Sequence, residues 1–478
     1  MADTTTSNLL LTKPEVGAST DTWGTKSNTN WDSVDALFAA AGTGTSVGLN
    51  VGSGKSLKLV GDVIDTNGNE LLKVTATASA VNELTLANAA TGGAPTLTAS
   101  GGDTNIGMKL VSKGTGEITA RVNGSDVFNA SSNFGFKNRI INGAMVIDQR
   151  NAGASVTLNG SESFITDRFA CGDVTDGSFT AQQVSDAPAG FINSLKCTIT
   201  SADTSLTGTQ TAYCYQSIEG LNIADFAWGA ASATTITLSF WIKSSLTGTF
   251  GGALRNSAAN RSYPFTYAIS AANTWEQKAV TIAGDTSGTW LTTNGVGINL
   301  QFSLGAGPDR SGTAGAWNSN NNVAATGQVQ VIGTNGATWQ VTGVQLEKGS
   351  TATSFDYRPY GTELALCQRY TPVYTGLGIR IVAQAFSTNS SLPTFCFPVA
   401  TRVPPTGVTI SSVSHFSGWN AATSSTGAPT AIAFNAASSF TGTLEVSGFA
   451  NNNLVAGNMS ALVFGNAAAQ VIFTGCEL

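Results

Sequence analysis

The segment that most restricts the fold of this chain is residues 43–135, which contain almost no aromatic side chains. Short runs there alternate apolar and polar residues, and Ile106, Met108 and Leu110 would share one face of a strand. Strands this short, without bulky core residues, do not bury enough apolar surface to offset the ordering of their backbone. The segment is therefore not expected to fold as an isolated single-chain domain.

Turn signals in the same segment predict hairpins. Glycines after Leu110 separate that run from Ile118, Ala120 and Val122, and the Asn67-Gly68 pair lies between two other apolar runs. Three identical chains wrapped about one axis would cover each other's apolar faces. We expect an intertwined β shaft; the alternative is a disordered linker rich in threonine and glycine.

The first residues, 1–42, form a separate region with a predicted helix. Apolar residues recur at helical spacing from Trp31, after the capping candidate Asn30, and the helix is expected to end near Ala40. So short a helix is marginal alone and must dock, either on its own domain or, as we expect, on a larger assembly. The candidate attachment residues are Trp23, Trp31, Val34 and Phe38.

Two further regions have the pattern of antiparallel β-sandwiches. In residues 136–357, strict alternation over 236–242 and 298–304 predicts half-buried strands, with long turn-like loops between strands. Residues 358–478 continue in short β-rich runs and are predicted to form a second, smaller sandwich. The expected fold class is all-β, elongated and multi-domain.

Composition excludes several functions. Only 11% of residues are charged and the net charge is −6, so no basic stripe is available for nucleic acid. The sequence has neither an apolar run long enough to cross a bilayer nor a secretory signal, which predicts synthesis in a cytosol. His415 is the single histidine, so multi-histidine metal sites are excluded. Paired carboxylates, as in glycosidases, remain open.

Six cysteines are widely spaced and form no CxxC pair, which argues against zinc-ribbon and thioredoxin functions. We expect free thiols. Cys197 alternates in phase with Leu195 and Ile199, which predicts a small apolar side chain facing the core.

Four blocks of the sequence resemble tail fibre proteins of tailed bacteriophages. They are "TKPEVGASTDTWGTKSNTNWDSVDALF", "NIGMKLVSKGTG", "KNRIINGAMVIDQRNAGASVTLNGSESFITDRFACGD" and "WQVTGVQLEKGSTATSFDYRPYGTELALCQRY", and they occur in the order that this family uses. The resemblance implies host recognition by a homotrimer. Its amino end would be fixed to a tail or baseplate protein of the virion, and its far end would bind host-surface polysaccharide or lipopolysaccharide.

The middle region is also similar to the galactose-binding-like jelly rolls of carbohydrate-binding modules, through "SFWIKSS" and "WQVTGVQLEKG". Such modules often hold a structural calcium ion. In related fibres an aspartate commonly follows "ING", but Ala144 stands there in this chain, so the calcium ion has no support and no cofactor is predicted.

The charged stretch around 344–370 could be a site or a joint between domains. Because it follows the last strand of the predicted jelly roll, Arg358, Glu363 and Arg369 are expected to pair at a junction or trimer axis. Glu347, at a strand end, is expected to be a satisfied edge residue rather than a catalyst.

Glycan binding requires flat apolar faces beside amides, hydroxyls or carboxylates. Two loops combine these groups, although their tryptophans would also suit packing against a neighbouring chain; Trp241 and Trp339, within strands, are expected to be structural. The candidate residues are Asp309, Arg310, Trp317 and Asn318 in one loop and His415, Phe416, Trp419 and Asn420 in the other.

The favoured function is a non-enzymatic receptor-binding fibre. One alternative is a tailspike depolymerase, which would release reducing ends from host polysaccharide; the chain has no repeat typical of the long β-helices in such enzymes. Another is a collar or baseplate component that only bridges other proteins.

Overall fold

A computed structural model describes residues 4–5, 12–13, 15, 21–35, 63–65, 67–73, 75, 77–114, 119–122, 125–129, 136–420, 427–449 and 454–478. The chain divides into two compact units, Met1–Val111 and Ser112–Leu478. Both are mostly β, as the sequence predicts.

The described part of the first unit contains one helix and three two-stranded antiparallel sheets, in which each strand pairs with the next strand along the chain. The elements are β1 (Thr4–Thr5), β2 (Thr12–Lys13), α1 (Trp23–Asp35), β3 (Val63–Ile64), β4 (Glu70–Leu72), β5 (Asn82–Ala87) and β6 (Thr96–Gly101).

Helix α1 begins well before the predicted start. Asn30 lies inside it rather than at its amino end, so the capping prediction is wrong. The Asn30 side chain instead accepts a hydrogen bond from Thr12 N at 2.7 Å and donates one to Thr12 O at 2.6 Å. The amide thus binds an edge strand. Phe38 and the side chain of Val34 lie outside the described residues.

The hairpin predicted at Asn67-Gly68 is confirmed by the pairing of β3 with β4. Gly68 has a φ of 84°, a left-handed conformation that costs glycine little. The carboxylate of Asp65 accepts hydrogen bonds from the backbone N–H groups of Asn67 and Asn69, each at 2.8 Å, and these bonds lower the pKa of Asp65.

Hairpin β5–β6 has one apolar and one polar face. Leu84 lies opposite Ala99 and Leu86 opposite Leu97, whereas Thr85 pairs with a threonine on the other face. Within the single chain Leu86 is 80% exposed. We call the face formed by Leu84, Leu86, Leu97 and Ala99 the hairpin apolar face.

The hairpin predicted between Ile106–Leu110 and Ile118–Val122 is not present among the residues that the structure describes. No strand is described over 106–113, and the strand containing Ala120 pairs with the residues that follow it. A strand requires a partner for its backbone groups, and the described partner of this one is Ser125–Asn129. Leu110 is left 61% exposed.

The second unit holds most of the strands. They are β7 (Thr119–Val122), β8 (Ser125–Asn129), β9 (Val156–Leu158), β10 (Glu162–Thr166), β11 (Phe169–Asp173), β12 (Ser178–Val184), β13 (Ser194–Ser201), β14 (Thr211–Glu219), β15 (Ile236–Ser244), β16 (Gly248–Arg255), β17 (Ser262–Ile269), β18 (Glu276–Ile282), β19 (Val296–Ala306), β20 (Ser311–Gly312), β21 (Ala324–Ala325), β22 (Thr338–Lys348), β23 (Val373–Thr375), β24 (Arg380–Ala385), β25 (Ser390–Cys396), β26 (Gly407–Ile410), β27 (Phe416–Asn420), β28 (Ala431–Ala437), β29 (Thr441–Ser447), β30 (Met459–Phe464) and β31 (Gln470–Thr474).

Helical structure in the second unit is sparse. Helix α2 spans Tyr360–Gln368, within the charged stretch 344–370. Single 3-10 turns occur at Gly220–Asn222, Ala224–Phe226, Pro308–Arg310, Val331–Gly333 and Val413–His415.

Two six-stranded antiparallel sheets form a jelly-roll sandwich. The front sheet has the order β10-β11-β14-β19-β16-β17, and the back sheet has the order β18-β15-β22-β13-β12-β9. Their inner faces share one apolar core, in which Ile298, Leu300, Phe302 and Leu304 are all buried, as their alternation predicts. Trp339 is fully buried and donates a hydrogen bond to Tyr267 Oη at 3.1 Å, which confirms its structural role.

The expectation that all cysteines are free thiols is wrong for two of them. Cys171 and Cys214 lie directly opposite each other on β11 and β14 and form a disulfide, because the strand register brings their Cα atoms within 4.0 Å. Cys197 is fully buried beside them, 3.4 Å from Cys214 Sγ, so its predicted core position is confirmed. Burial raises the pKa of the Cys197 thiol.

The residues after α2 form a second sandwich with its own core. A six-stranded sheet, β27-β30-β24-β25-β29-β28, packs against a three-stranded sheet, β23-β31-β26. Phe395, Phe416, Phe464 and Phe473 lie in this core.

Ion pairs join this second sandwich to the jelly roll. Arg358 and Glu363 pair at 3.2 Å, and Arg369 pairs with Glu219 of β14 at 2.7 Å. The predicted pairing of the three charged residues at a junction is thereby confirmed. Glu347 accepts hydrogen bonds from Thr353 and is a satisfied buried residue, also as predicted.

Glu477 lies at the centre of the junction. Its carboxylate contacts two arginines of the jelly roll, Arg150 at 2.5 Å and Arg168, and accepts a hydrogen bond from Thr371 at 2.7 Å. The Arg168 guanidinium also lies 3.7 Å from the centre of the Tyr370 ring. Burial raises the pKa of Glu477, but the two guanidinium charges outweigh burial and the net pKa is below its ordinary value.

Replacement of Glu477 by glutamine should strongly destabilise the second unit. Arg168 is only 2% exposed, and a buried charge that loses its partner typically costs about 3–5 kcal/mol. The measurement is the free energy of unfolding in urea. Asp225→Asn, in half-exposed pairs with Arg139 and Lys348, is the control and should cost less than about 1 kcal/mol.

The difference between wild type and Glu477→Gln should depend on pH. Because the folded-state pKa of Glu477 is lowered, its contribution is complete above the ordinary glutamate pKa and is lost as the pH falls below that value. A difference that stays constant into the acid range would contradict the ion-pair explanation.

Candidate functional site

The outer face of the front sheet forms a groove. Strand alternation turns Cys214 and Phe302 into the core, so Tyr213, Tyr215 and Gln301 face outward from β14 and β19. We call this cavity, of about 370 Å³, the sheet groove. Its lining residues are Val174, Thr209, Gln210, Thr211, Tyr213, Arg255, Gln301, Arg310, Asn321 and Val323.

A glycine positions one of the tyrosines. Gly172 of β11 lies opposite Tyr213, and a Cβ atom at residue 172 would lie 2.7 Å from the Tyr213 ring. Without that atom, the ring lies across β11 and reaches Glu162 of β10.

Glu162 holds both tyrosines. Tyr213 Oη donates a hydrogen bond to Glu162 Oε2 at 2.9 Å, and Tyr215 Oη donates to Glu162 Oε1 at 2.8 Å. The two ring centroids are 5.9 Å apart. Burial raises the pKa of each phenol, and the carboxylate charge of Glu162 raises it further. The pair therefore presents fixed, neutral aromatic rings.

Two arginines lie across the groove from Glu162. Arg255 donates hydrogen bonds to Asn321 Oδ1 at 2.5 Å and to Asn299 Oδ1 at 3.3 Å, and Arg310 approaches Asn321 O at 3.5 Å. Burial lowers the pKa of Arg255, and the positive charge of Arg310 lowers it further. Arg255 Nε and Gln301 Oε1 are buried without a hydrogen-bond partner.

The first predicted loop contributes one residue to the sheet groove. Arg310 lines it, whereas Asp309 is exposed beside it. Trp317 packs within its own chain, against Trp228, Trp290 and Tyr263 at centroid distances of 5.2, 5.3 and 5.1 Å. Asn318 forms a backbone bridge with Ser262 and accepts a hydrogen bond from its hydroxyl.

The second predicted loop lies in the other sandwich, so the structure does not bring the two loops into one site. Phe416 is 1% exposed and leaves no surface for stacking on a sugar; this candidate is withdrawn because the ring belongs to the core. His415 Nδ1 lies 2.9 Å from Ser411 Oγ. Trp419 is half-buried with Arg380 over its ring at 5.8 Å, and Asn420 is buried.

The predicted attachment residues are partly described. Trp23 and Trp31 are 59% and 69% exposed on α1. None of the helices in the described stretches has the length and apolar character needed to cross a membrane.

Sequence reasoning missed Tyr213, Tyr215, Arg255 and Gln301. A signal for the tyrosines was present, since the two alternate with Cys214 in "TAYCYQ" and so share the face opposite a core residue. Arg255 and Gln301 had no comparable signal, because their proximity depends on sheet order.

Two other clefts accompany the sheet groove. One, of about 300 Å³, lies between α2 and the loop containing Ala144 and is lined by Ile192, Tyr357 and Tyr360. Another, of about 550 Å³, is lined by Asp203 and by turn residues after β13 and β19. The Asp203 carboxylate accepts backbone hydrogen bonds, so its oxygens are already engaged.

Among the described residues, one group of three potential metal ligands is close-packed, namely Cys171, Cys197 and Cys214. Two of its sulfurs form the disulfide, so the cluster does not offer three thiolates. Ala144 supplies no ligand, and the backbone around Asn142 is held by Asn142's own amide and by Glu363.

No protein-family model matches the chain, and none of the curated proteins matches it. Several solved structures are similar. The enzymatically active domain of tailspike protein 4 from bacteriophage CBA120 shares 13% identity over 45% of this chain and 22% of its own, with a TM-score of 0.25. This chain thus spans under a quarter of that tailspike structure.

The other similar structures include sugar-binding proteins. One from Bacteroides thetaiotaomicron, described as a sugar binding protein, shares 13% identity over 44% of this chain and 100% of its own, with a TM-score of 0.26. The family 11 carbohydrate-binding module of a cellulosomal cellulase from Clostridium thermocellum shares 14% identity over 41% of this chain and 98% of its own, with a TM-score of 0.21.

Replacement of Glu162 by glutamine should lower the pKa of Tyr213 and Tyr215, because it removes the negative charge that opposes the phenolate. Because the phenol pKa is raised, each tyrosine stays protonated above the pH at which an ordinary tyrosine ionises. The hydrogen bonds that it donates are lost only at still higher pH. Phenolate absorbance during alkaline titration should therefore rise earlier in the variant. Glu445→Gln, at an exposed position of β29, should leave the curve unchanged; coincident curves for Glu162→Gln would contradict the assignment.

Proposed function

We propose that this chain is a receptor-binding fibre protein of a tailed bacteriophage and that it binds a host-surface glycan in the sheet groove. The groove is the observation that carries the proposal. The fixed ring of Tyr213, with Tyr215 next to it, lies beside arginine and amide groups, which is the combination that sugars require of a binding surface. The protein would be made in the host cytoplasm and act in the virion tail.

Binding rather than cleavage is proposed because of the groove's chemistry. A glycosidase needs two carboxyl groups facing one glycosidic bond. The residues that line the described groove include no carboxylate, and Glu162 at its edge is held by both tyrosine hydroxyls. A depolymerase would therefore need a catalytic pair elsewhere.

The proposed assembly is a homotrimer, and the hairpin apolar face supports it. Leucine side chains exposed on a two-stranded sheet gain free energy when another chain covers them, at roughly 25 cal/mol per Å² of buried apolar surface. Trp23 and Trp31 on α1 are the proposed contacts with a tail or baseplate protein.

Charge on the hairpin apolar face should prevent assembly. We expect Leu84→Asp with Leu86→Asp to convert a trimer to monomers in light scattering, since a carboxylate is not tolerated in an apolar interface. Thr85→Asp with Thr98→Asp, on the opposite face of the same hairpin, is the matched control and should remain trimeric. A monomeric wild type would contradict the trimer.

Removal of a groove tyrosine should weaken glycan binding. We expect Tyr213→Ala to reduce affinity for a soluble host oligosaccharide roughly 2- to 10-fold in calorimetry, from the lost ring contact. Tyr360→Ala, at an exposed tyrosine of α2, is the control and should bind as wild type.

The same titration tests the other assignments. A loss of binding in Trp419→Ala instead would place the site in the second sandwich. No binding to any host glycan, with adsorption to the host unchanged in Tyr213→Ala and in Trp419→Ala, would favour a bridging component of the tail.

A further inference from the structure

The two arginines of the sheet groove lack the counter-charge that this protein supplies elsewhere. Buried Arg168 is paired with Glu477, Arg358 with Glu363, and the buried Asp285 with Arg261. Among the described residues, neither Arg255 nor Arg310 has a carboxylate within ion-pair distance, and their partners are oxygens of asparagines.

Two guanidiniums close together repel each other, and burial removes the water that would screen them. Both guanidiniums contact Asn321; burial is the main cause of the lowered pKa of Arg255, and the charge of Arg310 lowers it further. An anion between the two would remove this repulsion, and the flat fork of a guanidinium fits the two oxygens of a carboxylate.

Two buried atoms indicate what else would bind. Arg255 Nε is a donor without an acceptor, and Gln301 Oε1, on a side chain only 1% exposed, is an acceptor without a donor. Unpaired buried polar atoms are uncommon because each costs free energy. A ligand that satisfies both must carry an acceptor and, close to it, a hydroxyl donor.

We propose that the sheet groove binds an acidic glycan, with the oxyanion of a sugar residue between Arg255 and Arg310 and a sugar hydroxyl donating to Gln301. The proposed anion is a carboxylate, as in uronic acids. This inference rests on the proposed glycan-binding function and specifies the ligand of the same groove.

Glu162 lies far enough from the arginines to be compatible with an anionic ligand. Its position also indicates which end of the ligand carries the charge. Its strand, β10, is four strand spacings from β16, which carries Arg255, or roughly 19 Å at about 4.8 Å per spacing. The Glu162 carboxylate also accepts hydrogen bonds from both tyrosine hydroxyls, which hold it at the far side of the sheet. The acidic sugar therefore lies at the arginine end, and the tyrosines contact the neighbouring sugars of the chain.

The test uses the full-length protein and one acidic oligosaccharide in two forms, the uronic acid and the same oligosaccharide with its carboxyl groups reduced to alcohols. Calorimetry should show at least about tenfold tighter binding of the acidic form, from charged hydrogen bonds. That preference should shrink as salt is added. Sulfated and phosphorylated oligosaccharides form two further arms; tighter binding of either than of the uronic acid would overturn the carboxylate assignment.

Variants of the two arginines test whether they cause the preference for the acidic oligosaccharide. Arg255→Gln and Arg310→Gln should each lose most of the preference for the acidic form and keep the affinity for the reduced form. Arg310 is half-exposed, so Arg310→Gln stays informative if Arg255→Gln does not fold. Lys348→Gln removes the same charge at an exposed position of β22 and should leave the preference unchanged.

The two proposals fail in different ways. Equal binding of acidic and reduced forms, or a preference unchanged in both arginine variants, overturns the acidic-glycan inference and leaves glycan binding standing. No binding of either form, together with no binding of host polysaccharide, overturns the proposed function itself.

Discussion

The second unit depends on a buried cluster of charges where its two sandwiches meet. Glu477 forms ion pairs with Arg150 and Arg168 of the jelly roll. A further ion pair joins Arg369 to Glu219 of β14. Burial of ions is costly, and such a cluster is stable only when each charge has partners of good geometry. The sandwiches are thereby fixed at one relative position, and the front sheet is anchored at one end by Arg168 and Glu219. The sheet groove lies on that same sheet, and its lining residues Thr211 and Tyr213 come from the opposite end of β14.

Most strands of the second unit could be predicted because their apolar period is the physical cause of the fold. The alternation over 298–304 is the core face of β19, and in the first unit the glycine at position 68 allows the hairpin turn. Predictions failed where a distant partner decides the outcome. Asn30 has the right chemistry for a helix cap but binds β2, and Cys171 meets Cys214 only because two strands pair in register. Neither contact has a local signature.

The same limit explains which site residues were found. Loops rich in tryptophan and asparagine have a visible composition, yet Trp317 fills an aromatic cluster and Phe416 fills a core. The groove residues come from strands distant in sequence, and sheet order makes them neighbours. The sequence analysis identified Arg310 because it belongs to a loop of distinctive composition. It did not identify Arg255, which lies at the end of a strand.

The hairpin apolar face affects how the first unit responds to dilution. The second unit has its own apolar cores, so its stability is set within one chain. Under the proposed trimer, the hairpins of the first unit reach a low free energy only when three chains meet, and mass action then links their order to protein concentration. Under the proposed trimer, the two sandwiches would therefore be folded at protein concentrations at which the hairpin apolar face is still uncovered.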